Sequence, residues 1–471
     1  MLDKSILDRY RFDAEGLAKE FSKAYFSSHE RQFPINPFRV LSDLKIPFVF
    51  RNLDKLEGAF FPEGDDGIPL IAFNAKRPIQ RIRFTAAHEL CHFLKDADSD
   101  SIPWCVSNSK NRIEIYADKF ASAFLIPAEV LKDKISECYN GQAISYENVL
   151  RIAEFFGVSF EACLYRIGAL YDYALPLNYR DSNKRKFYPS KRRKELGYSD
   201  VSLLQDLIDS WPDMWVGISM NNATYAYKSD FIFNDSRLEE VDSEKGQVAD
   251  MITDLRRNGS RSEFYQSSES PISDIAGHSD VYDFVFSDEQ QSNPISVYDT
   301  FGINRLLFSH SKYPDYGGRT RNGNSMILGA KFETVDYHEI MTCLQILEDS
   351  VKALDGGYME MTHGEVIHRI ACIHHRLTQI HPFADGNGRT LRAFMNKQLT
   401  KYGLCPIYIK VEDKSRYFAA LNEADKTGDV SELEAILISN IYRTHAEIYT
   451  SSWKEKKSRQ NRKNNLPSCN Q

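Results

Sequence analysis

Apolar positions along the chain follow two periods, and each change of period marks an element. Ile6, Leu7, Tyr10, Leu17, Phe21 and Tyr25 share one rough face, which predicts a helix within 5–30. A second helix starts at Pro37 and runs to Leu44. Residues 46–50, 58–61 and 69–73 are short apolar runs separated by turn residues, which predicts strands and a small sheet. Helical spacing returns over 83–93 and again over 114–125, where Ala117, Phe120, Ala121, Phe124 and Leu125 keep period until Pro127 stops them. Val149, Ile152, Ala153, Phe156 and Leu164 give a helical core segment over 144–170. The sum is an α+β N-terminal domain with a small sheet over 1–172.

Between 176 and 198 the chain turns polar and basic, with Lys184-Arg185-Lys186 and Lys191-Arg192-Arg193-Lys194. Such runs read as a linker or an exposed arm, so 173–229 is expected to connect two domains. Residues 203–208 have helical spacing, and 225–227 and 231–233 read as strands or extended pieces. The Ser- and Asp-rich stretch 258–296 reads as a surface insertion. Helices follow at 303–308, 337–354, 365–380, 389–399, 415–424 and 431–444. Residues 317–321 form a turn, and 325–332 an extended piece. A mainly helical domain is expected over 230–450, and 451–471 as a disordered basic tail.

Composition narrows the class without naming it. At 471 residues, two or three domains are expected. Hydrophobic content of 42% and charged content of 27% are ordinary for a soluble globular protein. The net charge of −7 argues against a generally basic nucleic-acid binder. Eight cysteines without a C-x-x-C pair suggest reduced thiols in a cytoplasm rather than a disulfide frame. The first residues lack an apolar signal region, and no apolar run approaches the ~18 residues a membrane helix needs.

The densest chemistry lies in His381-Pro382-Phe383-Ala384-Asp385-Gly386-Asn387-Gly388-Arg389-Thr390-Leu391-Arg392. Pro382 ends the helix before it, and the glycines precede another helix, so Gly-Asn-Gly sits at a helix N-terminus. Backbone N–H groups point outward there, and glycine lets a phosphate approach. Arg389 and Arg392, at i and i+3, share a face near that end and suit a polyphosphate. Asp385 could hold Mg²⁺ between phosphates, and His381 is placed to accept a proton from an attacking hydroxyl.

This string resembles, at every fixed position, the Fic-family motif His-Pro-Phe-x-Asp-Gly-Asn-Gly-Arg-x-x-Arg. The resemblance implies a helical Fic domain with a β-hairpin flap over 325–332, moving AMP from ATP onto a Ser, Thr or Tyr hydroxyl of a protein. It implies His381 as base, Asp385 as Mg²⁺ ligand, Gly386, Asn387 and Gly388 as phosphate cradle, Arg389 and Arg392 as clamps, and Phe383 as an anchor in the nucleotide-binding loop. The flap implies strand addition by a target segment. The target could be another protein or the chain itself, and the chain could form a homodimer.

Arg83-Phe84-Thr85-Ala86-Ala87-His88-Glu89-Leu90-Cys91-His92 carries a second candidate site. His88 and His92 project one turn apart from one helix face, which can bind Zn²⁺ with Glu89 beside it as base. Glu114 can supply a third ligand, and Asp118 can accept a hydrogen bond from a ligand histidine. Residues 35–130 resemble the ImmA/IrrE-type zinc metallopeptidases, through this stretch and the Ala-Asp-x-Phe-Ala…Leu-Ile-Pro segment. The resemblance implies a zincin-like fold and zinc held by His88, His92 and Glu114. It also implies catalysis by Glu89 and control of a partner regulator by cleavage. Family members often carry Glu where Tyr116 stands, which leaves Glu114 as the nearest ligand.

Asp235-Ser236-Arg237-Leu238-Glu239-Glu240 reads on its own as a cap before a helix. It also resembles the inhibitory helix of many Fic proteins, Ser/Thr-x-x-x-Glu-Gly/Asn, departing from it at Asp235 and at Glu240. A register from Ser236 to Glu240 restores the serine but sets Val241 at the small position, and Glu239 is preferred. A glutamate on Arg392 would remove the cation meant for the γ-phosphate. A rival assignment makes zinc-dependent proteolysis the output and the Fic half a nucleotide-sensing or AMP-removing module.

Overall fold

Phe48, Phe50 and Phe73 explain where the first sheet forms. All three are buried, and they pack with Phe38 and Trp211 at ring separations of 4.9 to 6.4 Å. Aromatic residues at alternate positions of a strand share a face, so one face collects the rings. In a computed structural model, residues 4–62, 69–95, 104–106, 111–181, 186–211, 214, 220–326 and 333–464 are described. The chain divides into two compact units, Met1–Asp213 and Met214–Gln471.

In the first unit, strands β1 (Phe48–Arg51), β2 (Leu56–Phe61), β3 (Leu70–Asn74) and β4 (Trp104–Val106) lie in the order β1-β3-β2-β4. β1 runs parallel to β3, and the other pairs are antiparallel. The single helix expected over 5–30 is broken into α1 (Lys4–Arg9) and α2 (Ala14–Tyr25). Asp13 makes the break by accepting a hydrogen bond from Gly16 N at 2.9 Å, which caps α2. Next come α3 (Pro37–Asp43), α4 (Ile79–Lys95), α5 (Arg112–Leu125), α6 (Ala128–Ser136), α7 (Tyr146–Phe156) and α8 (Phe160–Leu170). Ser145 and Ser159 cap α7 and α8.

The basic stretch is not an exposed arm in its helical part. Residues Pro189–Glu195 form α9 and Val201–Asp209 form α10, both in the first unit. Arg192 pairs with Glu147 at 2.5 Å, and Arg193 with Glu154 at 2.5 Å and Asp200 at 2.7 Å. These carboxylates on neighbouring elements draw the cations onto the unit. The connector expected over 173–229 is thus shared between the two units.

Arg83, fully buried on α4, ties the scaffold behind the H-E-x-x-H stretch. It donates to Gly157 O at 3.0 Å and Ile35 O at 2.5 Å and stands 3.4 Å from Asp206. Burial lowers its pKa to about 10, so it remains charged at neutral pH.

The described part of the second unit is helical: α11 (Met220–Leu238), α12 (Lys245–Asn258), α13 (Ile272–Val285), α14 (Asp288–Ser292), α15 (Asp299–Leu307), α16 (Ile340–Gly357), α17 (His363–Ile380), α18 (Asn387–Lys401), α19 (Lys414–Thr427) and α20 (Ser431–Asn464). Three expectations are corrected. Residues 225–233 are helical rather than extended, because Phe231 and Ile232 anchor α11 in a cluster with Val248, Met251, Ile275 and Tyr282. The stretch 258–296 is no surface insertion, since it contains α13, whose polar Ser273, His278 and Ser279 are buried. The tail is helical to Asn464.

The flap expected over 325–332 falls mainly outside the described residues, at 327–332. Thr320 forms an isolated antiparallel bridge with Phe383. No described cysteine is in a disulfide. Among the described residues, no helix is long and apolar enough to cross a membrane.

Candidate functional site

α17 and α18 position the loop between them. Thr362 and Glu365 close a capping box at the start of α17. At its end His381 takes a left-handed conformation, φ 48°, with its N–H still bonded to Leu377 O at 2.9 Å. That turn is unusual for a residue with a side chain, and here its neighbours hold it. Arg321 donates from Nε to His381 O at 2.8 Å and from Nη2 to Ile380 O at 3.2 Å and to Val335 O. Its own N–H bonds Pro382 O at 2.9 Å.

Asn387 locks the far side of the loop. Its Oδ1 accepts from Phe383 N at 2.9 Å, and its Nδ2 donates to Phe383 O at 2.8 Å. Phe383 is buried against Phe301 at 5.3 Å. Asn304 donates to Asp385 O at 3.2 Å and Thr390 Oγ1 at 3.0 Å. Gly386, φ 73°, precedes α18 without a side-chain cap. The helix therefore begins on backbone N–H groups, which suit an anion. Asp385 is exposed, and its Oδ1 accepts from Gly386 N at 2.6 Å.

The two arginines diverge. Arg389 pairs with Asp274 of α13 at 2.8 Å. Arg392 meets Glu239 Oε1 through Nη2 at 2.6 Å and Asp235 Oδ1 through Nε. His278 Nε2 lies 3.0 Å from the other Asp235 oxygen. Burial alone would raise the Asp235 pKa, but Arg392 and His278 outweigh it and hold the carboxyl below its usual range. Gly388 is required for this approach, since a Cβ there would stand 2.1 Å from Glu239 Oε1 and 2.8 Å from Arg392 Nη1.

The capping expectation for 234–240 is corrected: Asp235 and Ser236 lie in the last turns of α11, and Glu239 follows its end. Val241 N bonds Ser236 O at 3.0 Å and Glu240 N bonds Arg237 O at 3.2 Å, closing the helix. Glu239, not Glu240, reaches Arg392, whereas Glu240 pairs with Lys414 at 3.0 Å. Glu240 has φ 61°, where glycine or asparagine is favoured. The exposed Lys414 pair offsets little of that strain. Glu240→Gly is expected to stabilise the chain by about 0.5–1 kcal/mol. A lowered midpoint in urea unfolding would contradict this.

His381, Asn387, Gly388 and Arg392 line a cavity of about 580 Å³ with Glu239, Tyr417, Phe418 and Leu421. Its size suits a nucleotide-sized ligand. Arg389, Phe383 and Asp385 are not among its lining residues. Sequence reasoning missed the α19 wall, where Lys414, Ser415, Tyr417, Phe418, Leu421, Asn422 and Asp425 contribute. Their spacing on one helix face was the available signal. Desolvation, and then Arg321, lower the His381 pKa to about 4, and Glu239 pulls the other way. The imidazole is thus neutral at pH 7 and can accept a proton. Tyr417, pushed up to about 12 by burial, places its hydroxyl 2.6 Å from His374 Nε2.

In the first unit, α4 and α5 bring His88, His92 and Glu114 together, with candidate ligand atoms within 4.8 Å of one another. His88 Nε2 and His92 Nε2 are 3.1 Å apart, and Glu114 oxygens lie 3.4 and 3.5 Å from them. Ligands on a tetrahedral ion with ~2.1 Å bonds stand about 3.4 Å apart, so the spacing fits. Glu114 Oε2 and both oxygens of Glu89 are buried with no hydrogen-bond partner, which a cation would remedy. Asp118 Oδ1 accepts from His88 Nδ1 at 2.9 Å, which turns Nε2 toward the cluster. Burial raises the Glu89 pKa to about 7, against the lowering pull of the two histidines. Gly58 of β2 leaves room for it, because a Cβ there would lie 3.0 Å from Glu89 Oε1. Tyr116 points elsewhere, its hydroxyl donating to Tyr10 O at 2.7 Å.

Comparison with known proteins agrees with both halves. The IrrE N-terminal-like domain family matches residues 41–168, and the Fic/DOC family matches 294–399. A protein adenylyltransferase Fic of Nematostella vectensis is 31% identical over 30% of this chain and 31% of its own length. A protein of the same name from Drosophila melanogaster is 37% identical over 16% of this chain and 15% of its own. The chain thus spans about a third or less of the length of these curated relatives. A structure of Fic-1 (residues 134–508) from C. elegans aligns with a TM-score of 0.44 at 18% identity, over 70% of this chain and 93% of that one. The loop at 381–392 and the histidine–glutamate cluster each fall within a family match: the chain joins an IrrE N-terminal-like domain, residues 41–168, to a Fic/DOC family domain, residues 294–399.

Proposed function

We propose that the second unit is a protein adenylyltransferase that is held inactive by Glu239. The observation that carries this reading is one cavity lined by a neutral His381, the start of α18 and an Arg392 occupied by Glu239. The target hydroxyl oxygen attacks the α-phosphorus of ATP, the bond to the β-phosphate bridging oxygen breaks, and pyrophosphate leaves. His381 takes the hydroxyl proton. Arg392 and the N–H groups from Gly388 onward bind phosphate oxygens, and Asn387 keeps the loop shape. Asp385 would hold Mg²⁺, which supplies charge stabilisation on the phosphates. Arg389, engaged by Asp274, supports the helix or turns to the phosphates when they arrive. The test is intact-mass measurement and peptide mapping after incubation with ATP and Mg²⁺, on the wild type, Glu239→Gly and His381→Ala. A hydroxyl of the chain itself or of a partner protein would gain AMP.

For the first unit the donor set supports zinc held by His88, His92 and Glu114, with Asp118 orienting His88. When bound, zinc would polarise a water and a peptide carbonyl, and Glu89 would hold the proton removed from that water. This favours a peptidase-like role acting on a regulator protein. The purified chain is expected to hold about one zinc per molecule. Glu114→Gln should lower zinc content, and Glu89→Gln should leave it near the wild-type level. Equal zinc in wild type and Glu114→Gln would remove Glu114 from the ligand set.

A further inference from the structure

Arg392 carries two carboxylates of different standing. The Glu239 side chain is 31% exposed and follows the last residue of α11, so it can leave without disturbing packing. Asp235 is 4% exposed, lies within α11, and faces the fully buried His278 of α13. It engages Nε, while Glu239 engages Nη2 and Nη1 faces Gly388. Asp235 therefore occupies a different donor from the Nη atoms that meet Glu239 and Gly388, two residues of the cavity lining. A buried guanidinium left without a partner is costly, so it would shift or unfold its surroundings if this acid were lost.

We propose that Asp235, backed by His278, is a positioning residue that holds the Arg392 guanidinium with its Nη edge aimed at the terminal phosphate of ATP after Glu239 has withdrawn. This rests on the adenylyltransferase reading of the cavity. A serine or threonine at position 235 could form one hydrogen bond but could not balance the charge. Asp235 does both. Asp235 is then no second inhibitory group, although both acids touch the same arginine.

The experiment uses the full chain with Glu239→Gly as parent and measures dissociation constants for ATP and ADP with Mg²⁺, together with AMP-transfer kinetics. Asp235→Ala in that parent is expected to weaken ATP by about tenfold, the scale of one charge-assisted contact, and ADP by much less. Asp235→Asn, which keeps an acceptor for Nε, should recover part of the loss. General damage to the fold would lower the active fraction and leave the KM for ATP unchanged, and a thermal scan of each variant records it. His278→Asn is the second variant should Asp235→Ala not fold, and it should show a smaller shift of the same kind. Equal weakening of ATP and ADP, no weakening, or higher activity for Asp235→Ala in the chain with Glu239 intact would overturn the inference. A parent that shows no His381-dependent transfer would instead overturn the reading on which it rests.

Discussion

His381→Ala should reduce AMP transfer by about 10²- to 10⁴-fold, the range for removing a positioned general base, and leave ATP binding within a few-fold. The separation is expected because His381 borders the cavity, while in the proposed reading Arg392 and the uncapped α18 N-terminus would take the phosphate contacts. Its low pKa, about 4 through burial and Arg321, keeps it neutral over the physiological range. The pH profile follows. Because Glu239 raises this pKa, the free imidazole of Glu239→Gly should be no more basic than that of the wild type. In Glu239→Gly, kcat/KM should stay flat with respect to this group from pH 8 down to about 6 and fall only toward pH ~4. Bound triphosphate places negative charge near the imidazole, raises its pKa and moves the acid limb of kcat to higher pH. Transfer that survives in His381→Ala, or an acid limb of kcat lying below that of kcat/KM, would refute the assignment.

Glu239→Gly should raise AMP transfer by roughly 10- to 100-fold, corresponding to one hydrogen bond between charged groups removed from a competing state. The direction follows from the 2.6 Å contact on Arg392 and from Gly388, whose missing side chain lets the carboxylate enter the loop. Glu240 is not expected to substitute, because it turns to Lys414. The measurement is AMP incorporation by intact mass, with ATP affinity determined beside it. Unchanged incorporation together with unchanged affinity would show that Glu239 is no inhibitor.

Where local chemistry and packing agree, the elements were legible. Phe48, Phe50 and Phe73 gave strands, and Pro127 and Pro382 marked helix ends. The H-E-x-x-H spacing placed His88 and His92 on one face, and Glu114 joins them across two helices. Legibility failed where burial and polarity part company. Ser273, Gly277, His278 and Ser279 look like surface positions. They are buried because α13 lies so close to α15 that a Cβ at Gly277 would meet Leu307 O at 2.2 Å. Small residues there serve the crossing, a fact that no periodicity reports. Phe231 and Ile232 favour strands by propensity, but the helical cluster around them prevails. Asp235 looked like a cap because Ser, Asp and Glu stand together, whereas its partner Arg392 lies far along the chain. The same distance hides the α19 wall of the cavity.

Arg321 gathers the carbonyls of Val335, Ile380 and His381 and that of Gly323, the last at 2.8 Å. The left-handed turn that aims the imidazole is therefore a property of a distant guanidinium as much as of the residues that spell the loop. A graft of residues 381–392 onto another pair of helices would transplant the letters without the bend. Recognition of such loops elsewhere would be sharpened by asking first whether an arginine stands ready to hold their entrance.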